Sequence, residues 1–341
     1  MSKIKSFLMN HGASFQDEFL MCFESQNTEM QASHVDTMTA LTHKGILQID
    51  GEDAINFIQG QLTNDIKQLN GVNSQYTGYC NPKGRLIALF LAFSHQNHIH
   101  LVLPLRQVDS ILKRLKMFVM RSKVNILDQS EHIQCIGITG LNAPEKLKRL
   151  FKQVPSHEHE LITLDTGTIL RLPGDLPRYL IFTNNQQFES IWELLSTDFN
   201  KAGHSVWDYL EIQAGIPEVV IETEEAFVPQ MINLDILNAI NFKKGCYTGQ
   251  EIVARTHYLG TVKRRMFLAN IRSENQPKPG DLLTDIDGET SVGLLVRSAP
   301  TPDGGFDVLA ELRLDVLSQD KNNALWKNVP LNFKELPYSL S

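Results

Sequence analysis

Lys243-Lys244-Gly245-Cys246-Tyr247-Thr248-Gly249-Gln250-Glu251 is the stretch on which the reading of this chain turns. Two glycines bracket a cysteine and a tyrosine, and two lysines precede them. Gly245 and Gly249 are read as loop-forming, because glycine allows positive φ and lets the backbone come close to a ligand. Ile252-Val253-Ala254 continues as a helix, with Thr248 expected as its N-cap and Glu251 completing a capping box. A cysteine just before a helix N-terminus and beside lysines sits in a field that favours thiolate. Cys246 is therefore a candidate catalytic thiol and Lys244 a candidate anion contact. The competing reading makes Cys246 a small buried hydrophobe in a tight turn. The string has no evident packing purpose, and it lacks the Gly-x-x-x-x-Gly-Lys-Ser/Thr order of a phosphate-binding loop.

Working outward, Trp207 to Ala214 has helical spacing and is stopped by Gly215 and Pro217. Leu41 to Ile49 reads as a strand, and Asp53 is placed to cap a helix over Ala54–Gln61. Asn81-Pro82-Lys83-Gly84 is a turn between paired strands Tyr76–Cys80 and Leu86–Phe93. Arg106–Met120 repeats apolar residues at helical spacing. The next unit, Asn125 to Asn200, alternates strand Cys135–Thr139, helix Ala143–Phe151, strands Thr168–Leu172 and Tyr179–Phe182, and helix Gln187–Leu195. This lacks the regularity of a doubly wound sheet, so an α+β fold with antiparallel sheets is expected. From Thr261 onward, short strands alternate with turns as in a small β-barrel. Residues 1–38 are polar and Met-rich, and read as a loosely attached N-terminal arm.

The chain has 341 residues, too many for one ordinary core. Its formal charge is −7, with 39 acids against 32 bases, which disfavours direct binding to nucleic acid. Four scattered cysteines, Cys22, Cys80, Cys135 and Cys246, form no C-x-x-C pair, so neither a disulfide scaffold nor a zinc site is expected. The longest apolar run, Leu86 to Phe93, is too short to span a bilayer. Met1 to His11 lacks the apolar core of a secretory signal. A soluble, cytoplasmic protein in a reducing compartment is expected.

Lys244-Gly245-Cys246-Tyr247-Thr248-Gly249-Gln250-Glu251 is similar to the signature of the YgfZ family, relatives of the glycine-cleavage T-protein, an aminomethyltransferase. Supporting pieces are Trp207, Glu211 to Pro217, Phe227-Val228-Pro229-Gln230, Asn233-Leu234, Gln59-Gly60-Gln61-Leu62-Thr63-Asn64-Asp65, Lys83-Gly84-Arg85 and Leu336-Pro337-Tyr338. The resemblance is strong over 207–265, moderate over 50–128, and weak over 129–205 and the barrel. It implies a T-protein-like ring of three domains around a central channel, with a C-terminal β-barrel. The implied division is an arm over 1–38, a folate-binding α+β domain over 39–127 plus 206–258, a second α+β domain over 128–205, and the barrel with its tail over 261–341. The channel would hold tetrahydrofolate or a derivative, facing the cysteine loop. The implied folate site comprises Trp207, Lys44, Tyr247, Gln250 and Arg255. Lys44 stands near the position where the family places a second tryptophan. A flat pterin suits an aromatic face such as Trp207, and the glutamate tail suits Arg255, Arg264 or Arg265. Without the resemblance, Trp207 reads equally as a core aromatic, and the paired arginines as a solvated strand edge.

Other signals weigh less. His98 and His100 share a strand face beside His95, but no carboxylate or cysteine lies near in sequence, so Gln96-Asn97 reads as a solvated hairpin tip and no metal site is expected. His257 could pair with Cys246 as a base, although no oxyanion-hole motif accompanies them. Three functions follow. The first is a folate-dependent factor supporting iron–sulfur proteins or their assembly factors, and through them tRNA modification. The second is a folate-dependent one-carbon transferase or demethylase. The third is a partner-docking module with a vestigial folate site. T-protein relatives place an acid after the Lys-Gly-Arg-like turn, whereas Leu86–Phe93 contains none, which argues against a glycine-cleavage role. A monomer without membrane contact is the implied state.

Overall fold

The computed structural model describes residues 3–31, 35–319 and 324–340. The chain divides into two compact units. The first comprises residues 1–55, 67–75 and 91–207, and the second residues 56–66, 76–90 and 208–341.

The first unit contains a six-stranded sheet in the order Leu161–Leu164, Gly167–Leu172, Arg178–Asn184, Ile133–Thr139, Thr37–Ala40, Asn200–Lys201. All its pairings are antiparallel except the last. Helix Ala143–Phe151 has the bounds expected from its spacing, and helix Asn185–Leu195 begins slightly earlier than expected. Asn184 caps the latter by accepting from the Gln186 and Gln187 N–H groups. Its buried face, Phe188, Ile191, Trp192 and Leu195, packs into the core with Ile136, Ile138, Ile169 and Ile181.

The N-terminal segment is not a loose arm over its described part. Helix Lys3–Asn10 buries Ile4 and Leu8, a spacing of four that sets both on one face, in the same core. Glu29 ties the segment down further, accepting from the Phe23, Glu24 and Gly203 N–H groups. Sparse but correctly spaced apolar residues suffice here. Residues 1–2 and 32–34 of the expected arm lie outside the described residues.

A five-stranded sheet runs Ser74–Cys80, Leu86–His95, His98–Pro104, Lys44–Asp50, Asn125–Asp128. Gln96 and Asn97, both at positive φ (51° and 63°), make the tight hairpin expected between its second and third strands. Asp53 does not cap the helix that follows it. Its carboxylate accepts from the Lys123 N–H instead, and the helix is shorter than expected, Ala54–Gln59.

The second unit holds a barrel-like seven-stranded sheet in the order Val329–Pro330, Leu325–Trp326, Leu282–Thr284, Ser291–Pro300, Phe306–Arg313, Arg264–Ile271, Asn332–Lys334. Leu283, Val292, Leu295, Val308, Ala310, Leu312 and Trp326 fill it. Arg297, 5% exposed, reaches from this sheet to Asp208 and Glu211, each at 2.8 Å. A buried guanidinium with two carboxylates is a compensated charge cluster that fixes these elements together.

Candidate functional site

The Lys243–Gly249 loop belongs to the second unit, and so do the groups that hold it. The short helix Ala54–Gln59 leaves carbonyls without intrahelical partners at its C-terminal end, as every helix does. Lys244, 9% exposed, meets one of them and two carbonyls of the segment that follows the helix: its Nζ donates to Gln59 O (2.7 Å), Leu62 O (2.6 Å) and Asn64 O (2.9 Å). An ammonium has three N–H donors, and all three are directed at main-chain carbonyls. Burial pulls the Lys244 ammonium down to about 8, with the Asp65 charge acting the other way. The same Nζ lies 5.2 Å from the Tyr247 ring centroid.

Further bonds fix both sides of the loop. Asn241 N donates to Thr63 O (3.0 Å) and Thr248 N to Gly60 O (3.3 Å). Thr63 Oγ1 donates to Ala239 O and accepts from Gly78 N, both at 2.7 Å. Tyr247 is buried, and burial pushes its phenol well above the usual range, the neighbouring Cys80 adding to this. Gly249 sits at φ +82°, where a Cβ would stand 2.4 Å from Asn81 O and 2.9 Å from the Gly84 Cα. Two turns thus touch backbone to backbone, which only glycine at this position permits. The opposing turn is rigid in its own right, since Asn81 Oδ1 accepts from the Lys83 and Arg85 N–H groups.

Between these anchors the loop projects outward. Gly245 and Cys246 are exposed, and a Cβ built on Gly245 meets nothing within 4 Å. The cysteine is not the small buried hydrophobe of the competing reading. Its sulfur is presented to solvent on a braced loop, where it can reach an external electrophile or disulfide. Cys80 has the opposite setting: it is buried, and desolvation pushes its thiol up to about 12. All four cysteines are free.

The structure brings Lys244, Gly245, Cys246, Tyr247, Gly249, Gln250 and Arg255 together on one loop and the helix after it, Gln250–Tyr258. Lys244 serves there as a brace rather than as an anion contact, because its donors are spent. Thr248 is not the helix cap: Gly249 occupies that position without a side-chain bond. Gln250 is half-buried in the first turn and Arg255 exposed in the last. His257 stacks on Phe242 (3.7 Å between centroids, 11°) and meets Tyr258 edge-on. Arg264 pairs with Glu311, and Arg265 makes a two-pronged pair with Asp235 (2.6 and 2.9 Å), so neither is a solvated edge residue.

Trp207 and Lys44 lie in the first unit. Lys44 is half-buried and opens strand Lys44–Asp50 opposite Pro104. Trp207 is 1% exposed, with its ring against Gly137, where an added Cβ would fall 2.5 Å from Cε3. The indole is a core aromatic enclosed by its surroundings, and no open face is left for a pterin. The three carbonyls that receive Lys244 had no role at the level of sequence. The Gln59–Asp65 string did stand out, as a piece of the resemblance.

These features define an α+β protein of two compact units whose braced loop presents an exposed cysteine. The model of the GCVT N-terminal domain matches residues 10–244. The fold is similar to the glycine cleavage system aminomethyltransferase T from Bartonella henselae, with a TM-score of 0.82 and 13% identity over 98% of this chain and 97% of that one. In sequence, the chain is 31% identical over 277 residues to the tRNA-modifying protein YgfZ of Colwellia psychrerythraea, covering 81% of this chain and 85% of the relative. It is 29% identical over 311 residues to the tRNA-modifying protein YgfZ of Yersinia pseudotuberculosis, covering 89% and 93%. The chain belongs to the YgfZ family, on the T-protein fold. Among the described residues, no helix is long and apolar enough to cross a membrane, and no group of three or more His, Cys, Asp or Glu is arranged to hold a metal ion.

Proposed function

We propose that this protein is a cytoplasmic tetrahydrofolate-binding factor that supports iron–sulfur proteins, and through them tRNA modification, with Cys246 as its working thiol. The observation that carries the reading is the braced loop. Three carbonyl bonds, a buried tyrosine and a glycine-to-glycine contact hold a seven-residue loop whose exposed centre is Cys246. Such bracing has no use for a solvent-facing cysteine unless the sulfur meets something. Folate binding is supported by the GCVT domain and the T-protein fold. The tRNA link is supported by the function named for the relatives.

The residues fit a folate in part. Arg255 is exposed five positions after Gln250 on one helix, and its guanidinium suits the anionic glutamate tail. Trp207 is enclosed and does not offer the pterin a face. When bound, a tetrahydrofolate supplies or accepts a one-carbon unit. The chain's own part is to hold Cys246 exposed at fixed position, with Gly245 leaving open space beside it. Partners of this reading are iron–sulfur proteins or their assembly factors, met by the protein as a monomer.

Calorimetric titration with tetrahydrofolate and its 5-formyl form tests the reading. Saturable binding that weakens about tenfold or more in Arg255→Ala is expected. Absence of binding by either form removes the folate part of the proposal. Trp207→Ala is a poor control, because emptying a buried indole site costs on the order of 3–5 kcal/mol of stability.

A further inference from the structure

Helix Val108–Val119, in the first unit, carries more apolar residues than its core face uses. Val108, Ile111 and Leu115, spaced by three and four, are buried and dock the helix. Met117 lies opposite that face and is 69% exposed. Phe118 follows Leu115 by three but is 48% exposed, and Met120, just past the helix, is 88% exposed. Scattered single apolar side chains are ordinary on a surface, whereas three within four residues form a patch. The patch does not sit on a fraying end. Ser122 N donates to Val119 O (2.8 Å), and the Asp53 carboxylate accepts from the Lys123 N–H (2.8 Å). Between these bonds Met120 sits at φ +45°, where glycine is the usual residue after a helix. A methionine is thus held outward on a braced turn, at a cost in backbone strain.

The charge around the patch is one-sided. From Ser110 to Leu127 the chain has five bases and no acid, although its net charge is −7. Lys113 and Lys123 are paired with Asp109 and Glu52, both at 2.6 Å. Arg114, Lys116 and Arg121 make no ion pair among the described residues. Arg114 precedes Met117 by three and Phe118 by four, Lys116 precedes Met120 by four, and Arg121 follows Met120 directly, so the bases border the apolar side chains. The helix dipole accounts for bases near a C-terminal end, but not for the methionines and phenylalanine beside them. Methionine, aromatic residues and arginine are the types enriched in protein interfaces, and methionine adapts its shape to an apolar partner. A chain of net negative charge is repelled from phosphate-rich surfaces, and methionine offers no ring on which a base could stack. Charge complementarity therefore selects an acidic protein segment. We propose that Met117, Phe118 and Met120, bordered by Arg114, Lys116 and Arg121, form a docking surface for an acidic peptide segment of a partner protein, whose apolar side chains seat on the methionines. The surface is independent of the folate reading and of Cys246.

The test follows the methionine methyl resonances of the full chain. The probe is a synthetic helical peptide with leucines along one face flanked by glutamates. Its controls replace the leucines by serine or the glutamates by lysine, and phosphatidylglycerol vesicles and bulk tRNA serve as contrasts. The acidic leucine peptide is expected to shift the Met117 and Met120 methyls saturably, and to bind at least about tenfold more tightly than either control. Binding should weaken about tenfold in the double variant Met117→Gln with Met120→Gln, and again in Arg114→Gln with Arg121→Gln. The methyl shifts in the unaltered protein decide the matter even where a variant folds poorly. The proposal is overturned if the peptide leaves both methyls unmoved, if the variants bind it equally well, or if vesicles or tRNA shift the methyls in its place. It is also overturned if protein concentration alone shifts them, which would make a second copy of this chain the occupant.

Discussion

Replacing Lys244 by methionine is the perturbation that probes the loop most sharply. Methionine retains most of the aliphatic stem and deletes the ammonium, so packing is largely kept while three acceptors lose their donor. Two of the three bonds, to Leu62 O and Asn64 O, are buried, and the one to Gln59 O is partly open to water. A buried carbonyl left unpaired costs about 1–3 kcal/mol, and water can rescue the Gln59 group. The expected loss is about 3–4 kcal/mol, or about 10 °C in the melting of the second unit. Arginine should not rescue it, because a planar fork cannot direct its donors at three carbonyls converging on one point. Urea denaturation gives the stability change, and amide exchange over residues 241–249 reports whether the loop has loosened. A change under 1 kcal/mol with unaltered exchange would refute the assignment of Lys244 as a brace.

Other outcomes follow from the same structure. Gly249→Ala combines positive φ with a 2.4 Å approach to Asn81 O and should cost more than about 2 kcal/mol, while Gly245→Ala, with open space around it, should stay within about 1 kcal/mol. Denaturation of both variants checks the contrast. His100 and His159 are each held to about 4 in the folded protein, chiefly by burial, whereas unfolded histidine titrates near 6.5. The unfolded chain therefore binds more protons between those values, and stability falls as pH drops from about 6.5 to 4, by roughly 3 kcal/mol per histidine. His100→Phe should flatten that slope measurably in pH-resolved urea melts. Arg297→Met removes the buried guanidinium that Asp208 and Glu211 share in the second unit and should cost about 3–5 kcal/mol, read by thermal melting.

The parts of the fold legible in the sequence were those governed by local spacing. Helix Ala143–Phe151 and the Gln96-Asn97 hairpin depend on periodicity and turn chemistry carried within a few residues. The exposed thiol was legible as well, because glycines around a cysteine imply a loop before any fold is known. What stayed hidden depended on distant partners. Lys244 reads as an anion contact beside Cys246, and its real acceptors lie about 180 residues away in the chain. Thr248 has the right residue type for a cap, but the contact of Gly249 with the 81–84 turn sets the backbone first. Asp53 likewise was claimed by Lys123. The N-terminal segment misled because its polar composition hides the apolar residues that dock it, Ile4, Leu8, Ala13 and Leu20 among them. Trp207 was ambiguous between ligand face and core, and its packing against Gly137, some 70 residues away in the chain, could not be read locally.

The central claim is that Cys246, and not the other thiols, does the work of this protein. The most direct measurement is the methylthiolated nucleoside content of tRNA, with the activity of the iron–sulfur enzymes that install it, in cells whose only copy carries Cys246→Ala or Cys80→Ala. The account predicts loss of both readouts with Cys246→Ala at normal protein levels, and retention with Cys80→Ala provided that protein accumulates. Wild-type modification in the Cys246→Ala cells would contradict it.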